Sequence, residues 1–200
     1  MTDVLAPTPA GIARAAELLR AGAVVAFPTD TVYGIGVAVS RPDRLGALFE
    51  LKRRPLDRRI PMLVADLDQA VAAGAAADDR ARGLVTRFWP GALTLVLATD
   101  GKATQAYRAP DHRVALDLIR AAGPLFATSA NISNQPDTLG ADEVLIAFAM
   151  QQDELAAVVD GGPVPGGVAS TVVDVSVTPM RILRPGPVGR EALAQVAEVI

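Results

Sequence analysis

The sequence predicts an α/β domain built on a mixed, twisted sheet with flanking helices, and three observations lead there. Short apolar runs of strand length, such as 23–27, 92–98 and 155–159, are interleaved with stretches whose apolar residues recur at helical spacing. The two kinds of segment do not alternate strictly, which argues against a purely doubly wound parallel sheet. Half of the 200 residues are hydrophobic and only 4% are aromatic, so the core must be packed from Val, Leu, Ile and Ala. That length suits one domain, and 1–200 reads as a single unit without repeats or a low-complexity linker.

Composition also excludes chemistry. There is no cysteine, which rules out disulfides, thiolate catalysis and cysteine-based zinc sites and fits a reducing, cytoplasmic setting. Asp3 stands where a secretory signal would carry basic residues, and no run reaches 18 apolar residues, so neither a signal peptide nor a membrane span is expected. Net charge is -3, yet the segment 52–59 holds Lys52, Arg53, Arg54, Arg58 and Arg59 against Asp57 alone. One concentrated basic segment in an acidic chain suggests an anion site rather than a broad nucleic-acid face. Helix ends attract basic residues, but five exceed what a helix terminus needs.

In order, Thr8 and Pro9 form a cap and first turn, Ile12, Ala16 and Leu19 follow at helical spacing, and Gly22 closes the helix. The strand 23–27 then feeds a polar elbow, Pro28-Thr29-Asp30-Thr31, and the chain turns apolar again at Val32. This is either a buried strand whose end opens into a site or a tight connection between two core strands. Gly34 and Gly36 would let a ligand or another backbone approach closely. Ser40 and Asp43 resemble a capping box ahead of a helix with Leu45, Leu48 and Phe49 inward, which stops before Pro55. A short strand at 61–64, helices around 68–73 and 79–88, and a break at Trp89-Pro90-Gly91 come next.

The strand 92–98, a turn at Asp100-Gly101 and a short strand at 104–108 precede a helix carrying Leu116, Ile119 and Ala122, closed by Gly123-Pro124. The strand 125–128 ends in a second polar elbow, Ser129-Ala130-Asn131-Ile132-Ser133. A helix at 141–150 with Val144, Leu145 and Phe148 inward, a strand at 155–159, and the glycine-rich loop 161–167 follow. Strands at 170–177 and 180–183 lead to a last helix with Leu193, Val196 and Ile200 inward.

Common catalytic signatures fail. There is no phosphate-binding G-x-x-x-x-G-K-[ST], the dinucleotide pattern begun at Gly34 and Gly36 lacks its third glycine, and no G-x-S-x-G elbow occurs. His112 is the only histidine, so no histidine cluster can hold a metal. What remains is two polar elbows, a basic run and a separate Arg184, a set suited to polyphosphate.

Eight fragments in order resemble the YrdC family, the threonylcarbamoyl-AMP synthases. They are 27–34 (Phe-Pro-Thr-Asp-Thr-Val-Tyr-Gly), 52–55 (Lys-Arg-Arg-Pro), 89–94 (Trp-Pro-Gly-Ala-Leu-Thr), 108–112 (Arg-Ala-Pro-Asp-His), 129–131 (Ser-Ala-Asn), 160–162 (Asp-Gly-Gly), 170–174 (Ser-Thr-Val-Val-Asp) and 183–186 (Leu-Arg-Pro-Gly). The resemblance implies an α/β fold around a large concave cleft. It implies synthesis of threonylcarbamoyl-adenylate and pyrophosphate from L-threonine, bicarbonate or CO2, and ATP, with Mg²⁺ held mainly by the substrate phosphates. Partner enzymes would pass the group to a tRNA adenosine beside the anticodon.

Carried over by position, Thr31, His112, Ser129 and Ser170 would line the threonine pocket. Lys52, Arg54, Arg108, Asn131, Thr138 and Arg184 would hold ATP, with Lys52 and Arg54 catalytic. Some members carry a histidine where this chain has Leu63, and longer members carry a further C-terminal domain. Two rivals come from other classes. One is a double-stranded RNA or tRNA binder without its own catalysis, motivated by the basic segment. The other is a carbamoyl-transfer module like that of hydrogenase maturation proteins, whose zinc-finger and acylphosphatase parts have no counterpart in this sequence.

Overall fold

The structure is a computed structural model that describes residues 1–53, 55, 59–99, 103–151 and 154–200. Among them eleven strands form one open mixed sheet flanked by helices. The strands are β1 (Asp3–Leu5), β2 (Val24–Phe27), β3 (Gly34–Ala38), β4 (Met62–Leu63), β5 (Ala75–Ala76), β6 (Leu93–Thr99), β7 (Thr104–Arg108), β8 (Leu125–Ser129), β9 (Leu155–Val159), β10 (Thr171–Asp174) and β11 (Arg181–Arg184). Their order is β1-β9-β2-β3-β8-β4-β7-β6-β10-β11, and β5 pairs with the side of β6. Parallel and antiparallel pairings mix, as the irregular succession of segments predicts: β2 runs parallel to β9 but antiparallel to β3.

The helices are α1 (Pro9–Arg20), α2 (Leu45–Lys52), α3 (Leu67–Ala72), α4 (Asp79–Phe88), α5 (Arg113–Ala122), α6 (Ala141–Ala147) and α7 (Arg190–Ala194). Three start on side-chain caps: Thr8 accepts from Gly11 N, Asp66 from Gln69 N and Asp78 from Ala81 N. Each cap satisfies an otherwise orphaned amide and is worth about 1 kcal/mol.

The half of the sheet around β2, β3, β8 and β9 is buried on both faces. One face packs Val25, Phe27, Ala127, Ala157 and Val159 under α1 and α5. The other packs Val24, Ala26, Ile35, Val37 and Val158 under α2 and α6. Burial on both faces is why these strands read as continuous apolar runs rather than alternating ones. A third core joins β6, β7 and β10 to α4 and the C-terminal segment through Leu93, Leu95, Tyr107, Val173 and Leu193. Each fully buried aliphatic side chain contributes about 1.5–3 kcal/mol.

Several local expectations need correction. The elbow after 23–27 is both things it could be: it joins antiparallel β2 and β3, and it faces a cavity. Gly36 is there for a backbone, since a Cβ would lie 2.5 Å from the Phe126 carbonyl oxygen on β8. Ser40 and Asp43 form no capping box; Asp43 instead receives the Arg41 guanidinium at 2.8 Å. In α5 the buried stripe is Ala115, Leu118, Ile119 and Ala122, one step away from Leu116. The last helix ends at Ala194, and the chain beyond it extends alongside Met180, burying Val199 and leaving Ile200 half exposed. The turn expected at Asp100-Gly101 lies outside the described residues.

Candidate active site

A cavity of about 420 Å³ opens between the two halves of the sheet, a size that suits a small-molecule ligand. From the first half come Thr29, Thr31, Val32 and Gly34 of the first elbow, and Ala127, Thr128 and Ser129 at the end of β8. From the second come Thr94 of β6, Ala106 and Arg108 of β7, and Ala169, Ser170, Val172 and Arg184. Pro61 and Leu63 line it from the seam between the halves. Arg59, Arg108 and Arg184 give its described lining three cations against one carboxylate, Asp137, so the space favours an anion.

The first elbow is knotted by Thr29. Its hydroxyl accepts from Thr31 N at 3.2 Å and Val32 N at 3.3 Å and donates to Val32 O at 2.6 Å. This local turn chemistry leaves the side chains of Asp30 and Thr31 displayed at the strand end. Both meet Arg108, whose Nη2 donates to Asp30 Oδ1 at 2.6 Å and Nη1 to Thr31 Oγ1 at 3.2 Å. Its Nε donates to Gly91 O at 3.0 Å.

The second elbow is knotted from outside. Lys52, almost wholly buried at the end of α2, donates from Nζ to Asn131 O at 2.6 Å, to Asn131 Oδ1 at 3.1 Å and to Ser129 O. Ser129 Oγ donates to Asn131 Oδ1 at 2.7 Å, and Asn131 Nδ2 to Gln135 O at 2.5 Å. Thr138 is buried behind this turn, donating to Ala130 O at 2.8 Å. Lys52 of the basic segment thus meets Ser129 and Asn131 in space, while Arg54 and Arg58 lie outside the described residues.

On the far wall the hydroxyls of Ser170 and Thr94 are 2.8 Å apart. Arg184 donates to Ser170 O at 2.8 Å and to Ser170 Oγ at 3.1 Å. Gly186 makes that approach feasible, because a Cβ there would collide with the backbone at Thr171 and Ala169. Much of Arg184 is exposed, but its head is partly buried. That burial, and then the Arg108 charge, push its pKa below the usual arginine value, while Asp137 acts in the opposite sense. Two guanidinium groups that repel across a cavity are what a bound anion would relieve.

Of the positions carried over by resemblance, Thr31, Arg108, Ser129, Ser170 and Arg184 line this one cavity. Lys52, Asn131 and Thr138 stand behind it as supports of the second elbow. His112 is not in the lining; it precedes α5 beside Gly161, with Nδ1 buried and without a hydrogen-bond partner among the described residues. Burial holds its pKa below 6.5, against the charges of Asp30 and Asp111. Leu63 does face the cavity. The sequence reading missed Thr94 and Asp137. The signal for Thr94 was period-two alternation, since Leu93 and Leu95 beside it point into the third core.

The glycine-rich loop is anchored at its start. Tyr33 Oη donates to Gly162 O at 2.8 Å and accepts from Gly161 N at 3.2 Å. Burial raises the tyrosine's pKa and keeps it a donor. No helix among the described residues is long and apolar enough to cross a membrane.

Residues 17–186 match the family model for Sua5, YciO and YrdC, which carries the description "Telomere recombination". The chain belongs to this family. Among its relatives, the threonylcarbamoyl-AMP synthase of Bacillus subtilis (strain 168) is 41% identical over 207 residues, covering 98% of this chain and 59% of that protein. A putative threonylcarbamoyl-AMP synthase of Mycobacterium tuberculosis (strain H37Rv) is 37% identical over 198 residues, covering 94% and 90%. Among solved structures, P. abyssi Sua5 complexed with L-threonine superposes with a TM-score of 0.89 at 33% identity, covering all of this chain and 62% of that one. This Sua5/YciO/YrdC chain therefore spans about three fifths of the length of some relatives and nine tenths of others.

Proposed function

We propose that the chain is a threonylcarbamoyl-AMP synthase, joining L-threonine, CO2 from bicarbonate, and ATP. One observation carries the reading: hydroxyls of Thr31, Ser129 and Ser170 and the guanidinium groups of Arg108 and Arg184 converge on one cavity from both halves of the sheet. Hydroxyls suit the polar ends of a small amino acid, and guanidinium forks suit phosphate oxygens.

The reaction asks for alignment rather than a covalent enzyme intermediate. Bicarbonate releases hydroxide to give CO2, the threonine nitrogen attacks the CO2 carbon as one C–O π bond opens, a C–N bond forms, and the nitrogen's proton joins the hydroxide as water, leaving a carbamate. A carbamate oxygen then attacks the α-phosphorus of ATP, the bond to the β-phosphate bridge breaks, and pyrophosphate departs. Carbamates revert in water, so a walled site with Leu63, Ala127 and Val172 in its lining protects the intermediate. Arg108 and Arg184 neutralise charge that grows on the phosphate oxygens. Lys52 acts through the second elbow, holding Ser129 and Asn131 in place.

Among the described residues no group of three or more His, Asp or Glu converges on one point. Asp137, the carboxylate in the described cavity lining, would be the protein contact for a Mg²⁺ held mostly by ATP oxygens. The ion supplies charge neutralisation on the phosphates. The product would be handed to enzymes that modify a tRNA adenosine.

The test is pyrophosphate release from ATP with and without L-threonine and bicarbonate. Release that requires both, together with a mass-identified threonylcarbamoyl-adenylate, is expected; release indifferent to threonine sinks the reading. Arg184→Ala should lower kcat/KM for ATP by about 100-fold, the usual scale for removing a charge-stabilising donor, with the melting temperature kept.

A further inference from the structure

Asp30 lies in the first fragment of the family resemblance but was given no role there, and it does not line the cavity. Its single described hydrogen bond runs to Arg108, which does. We infer that Asp30 is a positioning residue: it orients the Arg108 guanidinium so that the remaining N–H groups face the anionic portion of the substrates. This rests on the synthase reading only for the identity of that anion.

Three observations support it. First, the elbow does not need the carboxylate to keep its shape, because the amides of Thr31 and Val32 are already satisfied by Thr29 Oγ1. Second, of the described ion pairs this is the one with both side chains mostly shielded, at 10% and 15% exposure; every other pair has a partner at least 37% exposed. Shielded pairs lose hydration and return little net stability, so a place for one beside a substrate cavity points to orientation rather than to fold strength. Third, a guanidinium has five N–H donors. Asp30, Thr31 and Gly91 take one each at three different nitrogens, which fixes the plane and leaves two N–H groups without a protein acceptor among the described residues. Without Asp30 the head would rotate about its Nε anchor and recoil from Arg184.

The experiment compares Asp30→Ala, Asp30→Asn, Arg108→Ala and the double variant Asp30→Ala/Arg108→Ala in the full chain. The readout independent of turnover is the resonance of the Arg108 Nη2–H that Asp30 accepts, in protein labelled with ¹⁵N-arginine, assigned by its loss in Arg108→Ala. A slowly exchanging signal is expected in the parent chain, lost in Asp30→Ala and regained in Asp30→Asn, which still offers an acceptor. In turnover, Asp30→Ala should lower kcat/KM for ATP by about 30-fold, the scale of one hydrogen bond to a charged group, and should add nothing in the Arg108→Ala background. Multiplicative losses in the double variant, or an Arg108 signal unchanged in Asp30→Ala, overturn the inference. A parent chain that makes no threonylcarbamoyl-adenylate would defeat the synthase reading, while the Arg108 resonance would still decide the role of Asp30.

Discussion

At 28–33 the chain turns on its own hydroxyl, that of Thr29; at 129–133 it turns on a lysine brought in from 77 residues away. Both turns follow apolar strands and both put polar groups on the cavity. The first elbow is shaped as soon as β2 and β3 pair. The second adds to its own Ser129–Asn131 and Asn131–Gln135 bonds the hold of Lys52, which reaches the carbonyls of Ser129 and Asn131 only when α2 docks. The contrast teaches that one elbow of the site is a property of a short peptide, and its neighbour on the same half of the sheet a property of the folded domain.

The largest effect should come from Lys52→Met, which keeps the bulk and removes the ammonium. Two buried carbonyls lose a charged donor, so unfolding free energy should fall by about 3 kcal/mol, read from urea denaturation, with synthesis lost alongside. Unchanged stability would mean that the second elbow holds itself. Thr29→Val is the local counterpart. It removes one hydroxyl that serves two amides and should cost about 1–2 kcal/mol, with threonine KM raised more than ATP KM. A cost equal to that of Lys52→Met would erase the distinction between the two elbows.

The smallest effect concerns His112, beside the first elbow. Its folded pKa lies below 6.5 because burial disfavours the imidazolium. The unfolded chain therefore binds more protons as pH falls through and below 6.5, and stability contributed by the neutral ring is lost in that direction. His112→Gln should flatten the acid side of a melting-temperature profile between pH 7.5 and 5. A parallel shift of the whole profile would instead assign the residue to packing.

Legibility follows the same division. The ranges of β7, β9 and α4 could be read directly, because each is a clean periodic segment between punctuating residues. Strand β3 was hidden by Gly34 and Gly36, which weaken strand propensity; Gly36 is explained by the β8 backbone lying against it, and Gly34 sits against the Phe27 ring. Strand β1 is too short to announce itself, and the extended C-terminal segment beside Met180 is a tertiary choice. In the site, residue types pointed to the Ser129 elbow and Arg184, and the family resemblance added Arg108 and Ser170. What they could not convey is division of labour: that Lys52 braces an elbow, or that Thr94 pairs with Ser170 across β6 and β10.

The two halves of the sheet are stitched together by β4, a strand of two residues that pairs with β7 on one side and β8 on the other. So brief a stitch carries little of the load that the long pairings of β6 with β7 and of β3 with β8 carry. Flexing of the domain should concentrate along that line, which runs through the floor of the cavity at Pro61 and Leu63. Closing of the cavity on a ligand would then need no separate lid: the walls themselves would swing, with Met62 and Leu63 as the pivot.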